Sequence, residues 1–172
     1  MDDVAGEAGV TKLIVYRHFD TKEELYRAVL ADISGRLRDE LLREMQLPVP
    51  ERYGFTTRAI LKVARQNPDA VRLLFLHAER EPQFKQYVAE LWEGAVGIAL
   101  MLIGERILDP VTKAWAARSV VHYLMDGVLV WLDVGEPARD EEFTTLSTNG
   151  LLAMFGAWID PASVDRSAIL RS

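Results

Sequence analysis

Leu25, Val29, Ile33, Leu37, Leu41 and Met45 recur every fourth residue, with Leu30 and Leu42 beside them. This spacing lays an apolar stripe along a long helix. Thr21-Lys22-Glu23-Glu24 just before it forms a capping box: the Thr21 hydroxyl can accept from the Glu24 amide, whose carboxylate reaches back. Pro48 and Pro50 end the run, so a helix is expected over 22–45. The same reading places helices at 52–66, 68–79, 82–108, 111–134 and 140–159. Asn67-Pro68 and Asp109-Pro110 are cap-proline starts, Pro82 opens another helix, and Gly135 with Pro137 stops the fifth. Towards the N-terminus Gly9 separates two shorter helical segments, 2–8 and 11–18. From Asp160-Pro161 onward a polar tail is expected to be partly disordered. No stretch alternates with the period of a strand, so the fold class is all-α, with about eight helices.

Composition narrows the class. The 172 residues are 49% hydrophobic and 27% charged, ordinary values for a globular chain. There is no cysteine, which removes disulfides, thiolate nucleophiles and thiolate metal sites together. The net charge of −6 excludes a uniformly basic coat for nucleic acid but leaves room for a local patch. The N-terminus is acidic where a secretory signal would be basic. The longest apolar runs, 95–104 and 119–134, are shorter than the roughly 20 residues of a membrane helix or carry His122, Asp126 and Asp133. A cytoplasmic protein with no membrane partner is expected.

The opening residues carry the most specific chemistry. Asp3-Val4-Ala5-Gly6-Glu7-Ala8-Gly9-Val10-Thr11-Lys12-Leu13-Ile14-Val15-Tyr16 has the spacing of a helix-turn-helix. Ala5 is small where two helices would cross, and Gly9 supplies the turn without steric penalty. Val4, Val10 and Val15 would join the helices, and Thr11 could cap the second, leaving its first amides free for a phosphate or base edge. On that spacing alone an ordinary helical hairpin is the plainer reading.

The residues that follow shift the balance. Ala8-Gly9-Val10-Thr11-Lys12, Val15-Tyr16, His18-Phe19 and Lys22-Glu23-x-Leu25 together closely resemble the DNA-binding head of the TetR/AcrR family of bacterial transcriptional regulators. The resemblance covers residues 3 to about 30. It implies a partial head at 1–24 and a helical ligand-binding and dimerisation domain at 25–172. It implies that Thr11, Tyr16, His18 and Lys22 touch phosphates, while Lys12, Leu13 and Ile14 face base edges in the major groove. Phe19 is expected in the core. The family places a further helix ahead of the helix-turn-helix, so the intact protein is expected to be longer at its N-terminus. From Val10 to Lys22 the net charge is +2, leaving −8 for the rest, as suits a dimer whose tips alone meet double-stranded DNA.

The same resemblance implies a homodimer seam in the last two helices and a small-molecule pocket in the body. Both of those helices are apolar on more than one face. Val128 and Leu132, with Leu146, Gly150, Ala153 and Met154, are the candidate seam. Phe75, Trp92, Val96, Met101, His122, Tyr123 and Asp126 are the candidate lining for an apolar or aromatic effector, with Phe84, Leu100 and Trp131 further aromatic or apolar candidates. His122 and Asp126 lie four apart with Arg118 a turn earlier, which suits a polar anchor in a cavity or a hydrogen-bonded pair in the core or at the seam. The long helix 22–45 would act as a lever from body to head.

An enzyme is not expected. His18, His77 and His122 are preceded at −3 by Val15, Leu74 and Ser119, so no Glu-x-x-His pair exists. The phosphate-cradling, zinc-protease and serine-elbow motifs are also missing, and neither cofactor nor metal is implied. The expected function is a ligand-responsive regulator, a repressor in the commonest arrangement, on a palindromic operator. The alternative is a protein that keeps ligand and partner binding but no longer binds DNA.

Overall fold

The computed structural model describes residues 18–48, 54–78 and 81–159. The helical segment expected at 2–8, all of the one expected at 11–18 except His18, and the tail from Asp160 lie outside them. Six α-helices are present among the described residues: α1 (Lys22–Met45), α2 (Phe55–Gln66), α3 (Pro68–Arg72), α4 (Lys85–Ile103), α5 (Pro110–Val134) and α6 (Asp140–Ile159). The fold is all-α, and no strand occurs among the described residues.

α1 begins as its sequence dictates. Thr21 Oγ1 accepts from the Glu24 amide at 3.0 Å, and Glu24 Oε2 accepts from the Asp20 amide at 2.8 Å. The helix runs unbroken across the boundary expected between residues 24 and 25. Its buried face is Leu30, Ile33, Leu37 and Glu44, whereas Val29 and Leu41 are only half-buried. The strict four-residue stripe fails for a geometric reason. With 3.6 residues per turn, each step of four drifts by about 40°, so a row of six leaves the face it started on.

α2 starts at Phe55 rather than 52 because Gly54, at φ 73°, turns the chain into it. A Cβ on Gly54 would meet Thr144 Cγ2 at 2.7 Å, so glycine also lets α2 approach α6. α3 passes directly into a π-helical turn, Leu73–His77. A 3₁₀ turn, Pro82–Phe84, then leads into α4. α4 stops at Ile103, short of the expected 108, because Gly104 takes φ 57° and ψ −133°. At the head of α5 Asp109 accepts from the Thr112 amide at 2.7 Å, with Pro110 in the first turn.

The main core gathers α1, α2, the α3 segment and α5 around Leu30, Ile33, Ile60, Leu74 and Val128. A second, smaller core joins α4 to the first half of α5 through Val96, Ala99, Ile103, Ala116, Ala117 and Val121. Segment Pro82–Ile103 reaches the length and hydropathy of a membrane span, which the sequence reading did not anticipate. Its face formed by Val88, Val96, Ala99 and Ile103 is nevertheless buried in the protein's own cores.

Candidate functional site

Two residues of the expected DNA-contacting set lie in the described part. His18 and Lys22 are both exposed, and Lys22 opens α1. Thr11, Lys12, Leu13, Ile14 and Tyr16 lie outside it. Beside Lys22, Glu24 is turned back to the Asp20 amide, while Glu23 pairs with Arg27 at 3.0 Å. Both carboxylates of the first turn are thus held by partners, leaving Lys22 as the cation nearest the helix start. Phe19 is half-buried.

α1 is held to the body at its two ends by different chemistry. Near its start, Tyr26 stacks on Phe84 with ring centroids 4.2 Å apart and planes 15° from parallel. Arg27 crosses the same ring at 5.6 Å and donates to the Gln83 carbonyl at 3.1 Å. Burial, aided by the charge on Glu81, raises the Tyr26 phenol above its ordinary range. Near its end, Glu44 is 6% exposed and accepts from Arg58 Nε at 2.8 Å. Glu40 binds Lys62 at 3.0 Å and also Arg43. Burial alone would raise the Glu40 carboxyl, but hydrogen bonds from Arg43 and Lys62 prevail and hold it low.

Between these ends α1 and α4 part, leaving a cavity of about 450 Å³. Phe75, Trp92 and Met125 line it, as do Ser34, Gly35 and Arg38 of α1 and Tyr87, Glu90 and Gly94 of α4. Phase by phase, these positions share one face of each helix. The size falls in the range of small-molecule sites, about 300–1,000 Å³. Of the sequence-derived lining, Phe75 and Trp92 come together here, edge to face at 5.6 Å. His122 stacks on Trp92 at 4.6 Å but is itself exposed.

The other candidates are placed elsewhere. Val96 is buried in the second core, and Met101 is 65% exposed on the outer side of α4. Tyr123 donates its hydroxyl to the Ser147 carbonyl at 3.1 Å and so faces α6. His122 and Asp126 share no hydrogen bond, and Arg118 pairs instead with Glu93 at 2.8 Å. Three of the further candidates also pack against the protein itself: Phe84 on Tyr26, Trp131 on Phe143, and Leu100 on the second core. What the sequence reading missed is the α1 wall. Its signal was present as small residues at facing positions, Ala31 and Gly35 on one helix and Gly94 and Ala95 on the other, too small to close a gap.

On the last two helices, Leu146 and Ala153 are exposed, and Leu132 and Met154 half-buried. A Cβ on Gly150 would run into the Tyr123 hydroxyl of the same chain. Val128, placed at the seam from sequence, is 1% exposed and belongs to the main core. Helical phase explains this: Val130 and Val134, two and six residues on, take the exposed side instead.

Comparison with known proteins agrees with the architecture. Residues 1–29 match the model for bacterial regulatory proteins, tetR family. The match is confined to the N-terminal 29 residues, and the described remainder is all-α, as a body of TetR type would be. It is 26% identical over 94 residues to the nucleoid occlusion factor SlmA of Pasteurella multocida, covering 52% of this chain and 47% of that one. It is 27% identical over 144 residues to the HTH-type transcriptional activator FasR of Mycolicibacterium smegmatis, covering 80% of this chain and 64% of the relative. SlmA of Haemophilus influenzae strain PittGG is 29% identical over 94 residues, 43% of its length. The chain thus spans about half the length of the SlmA relatives and somewhat under two thirds of FasR.

Proposed function

We propose that this protein is a cytoplasmic transcriptional regulator that binds a palindromic operator as a homodimer and releases it when a small apolar or aromatic effector enters the body. The observation that carries this reading is continuity. The residues matched to the regulatory head run to 29, and α1 begins at Lys22, so one helix belongs both to the head and to the wall of the cavity. Thr11, Tyr16, His18 and Lys22 are assigned to phosphates, and Lys12, Leu13 and Ile14 to base edges. The seam is assigned to the outer faces of α5 and α6, where Val130, Val134, Leu146 and Leu152 are left exposed by the described residues. A two-fold pair would set two recognition helices about one DNA turn, roughly 34–36 Å, apart.

Because the tips are basic and the body acidic, binding should weaken steeply as salt rises. Selection from a random duplex library, followed by gel shifts across a salt series, tests the reading. The expected result is a palindromic consensus whose affinity falls when Lys22→Ala is introduced. Binding without sequence preference, or none at all, favours the alternative of a ligand-binding, dimerising protein without a working head.

A further inference from the structure

The chemistry of the cavity wall selects among effectors. Ser34 donates its hydroxyl proton to the Leu30 carbonyl at 2.6 Å, and Tyr87 donates its own to Ser34 Oγ at 3.3 Å. Both protons are therefore spent inside the protein. What the two hydroxyls still offer a ligand is lone pairs. Glu90 adds a carboxylate on the same wall, with one oxygen taken by Gln86 Nε2 at 3.0 Å. Two cations stand nearby and each has a partner: Arg38 lines the cleft but is 71% exposed and lies 3.6 Å from the Asp39 carboxylate, and Arg27, which borders Tyr87 and Glu90 in an adjoining pocket, is held by Glu23 and the Gln83 carbonyl. The remaining surface is apolar or aromatic, including the Phe75 and Trp92 rings, whose faces attract cations.

From this arrangement we infer that the α1–α4 cleft is the effector site and takes a lipophilic cation, an apolar body bearing a protonated amine. The inference rests on the regulator reading for its consequence, not for the binding itself. The amine would donate to Glu90 and the free lone pairs of Tyr87 and Ser34. The apolar body would lie against Phe75, Trp92 and Met125. Lodged there, the ligand holds α1 away from α4. The Glu40 and Glu44 ion pairs fix the far end of α1, so the displacement is taken up at its start, where the Tyr26–Phe84 stack and the Arg27–Gln83 bond join it to the turn leading into α4.

Three probes with one apolar tail and different heads test the assignment: dodecylammonium, dodecanol and dodecanoate. Each is titrated below its micellar threshold, with tryptophan fluorescence and calorimetry as readouts. Dodecylammonium should bind at least about tenfold more tightly than dodecanoate. Glu90→Gln should remove most of that preference and leave dodecanol unchanged. Gly35→Leu should weaken all three, because a Cβ at Gly35 has nothing within 4 Å and the added side chain extends into the cleft. Gly94→Leu does the same from the opposite wall, should the first variant fail to fold. Preference for dodecanoate, indifference to Glu90→Gln, or full binding to a folded filled-cleft variant overturns the assignment. The selected operator separates the two readings. If dodecylammonium binds in the cleft but leaves DNA affinity unchanged, the site stands and its regulatory use fails. If it releases DNA equally from wild type and Gly35→Leu, regulation stands and the site fails.

Discussion

α2 and α4 are both rich in apolar residues, yet the protein uses them in opposite ways. α2 has 12 residues, of which Thr57, Ala59, Ile60, Leu61, Val63 and Ala64 are buried. Its outward side carries Arg58, Lys62 and Arg65, each with a carboxylate partner on another helix. α4 has 19 residues and buries only Val88, Val96, Ala99 and Ile103. Ile98, Met101 and Leu102 stay exposed, and Gly94 and Gly97 meet nothing. A helix with a sharp polar face is satisfied within its own chain. One with more apolar surface than the described residues cover has surface left for a ligand or a partner.

The sharpest break of this contrast would be equal sensitivity to truncation. Leu61→Ala on α2 removes a side chain that is 3% exposed and should cost about 2–5 kcal/mol in urea unfolding. Leu102→Ala on α4, 39% exposed, should stay within about 0.5 kcal/mol. Comparable losses would mean that α4 is covered after all, and a concentration-dependent loss at Leu102 would place a second subunit there.

Next in size is the corner that α2 shares with α5 and α6. Arg65 donates to Asp140 through two nitrogens, at 3.0 and 2.8 Å, and to the Gly135 carbonyl at 3.3 Å. Trp131 Nε1 donates to the same carboxylate at 2.8 Å and its ring stacks on Phe143 at 4.8 Å. A Cβ at Gly135 would run into the Trp131 ring and carbonyl, so Gly135→Ala should cost about 1–3 kcal/mol by overpacking. Thermal unfolding followed by circular dichroism would measure it. No loss would show that the Trp131 ring can swing aside.

Much of this was readable beforehand, and what was not has specific causes. The starts of α1 and α5 were plain because Thr21-x-x-Glu24 and Asp109-Pro110 act within one helical turn. The end of α4 was misjudged by five residues, since apolar pattern continues through Ile107 and Leu108 while Gly104 reverses the backbone. Phe75 and Trp92 were legible as aromatic candidates. Ser34, Gly35 and Glu90 were not, because a cavity wall is defined by what faces it from far along the chain, 53 residues for Ser34 and Tyr87, and small or polar residues leave no periodic mark. Val128 illustrates the converse: on a helix apolar on more than one face, sequence names the residues but not which side the neighbours take.

The same corner should also respond to acid. Hydrogen bonding from Arg65 lowers the Asp140 carboxyl below the usual aspartate range; burial opposes this and Trp131 assists. The folded state therefore releases this proton more readily than the unfolded chain. The contribution to stability is complete above the ordinary value near 4 and disappears as pH falls through the lower folded value. Asp140→Asn should lose about 1–2 kcal/mol at pH 7 and show a shallower stability decline below about pH 4. The exposed Arg118–Glu93 pair on the α4 side offers the contrast, since Glu93→Gln should change stability by less than about 0.5 kcal/mol.

The smallest effect has the opposite sign and tests the open side of α4 directly. Gly97 lies inside the helix, exposed, and a Cβ there would meet nothing within 4 Å. Glycine in such a place costs conformational entropy, because the unfolded chain has more states to lose. Gly97→Ala should therefore raise stability by about 0.4–1 kcal/mol, seen as a higher unfolding midpoint with an unchanged denaturant slope. The same change at Gly54 on the α2 side would meet both a left-handed backbone and Thr144, and should destabilise. If Gly97→Ala instead weakened self-association at constant monomer stability, the empty space beside it would be where another helix closes in, and the surplus apolar face of α4 would belong to an interface.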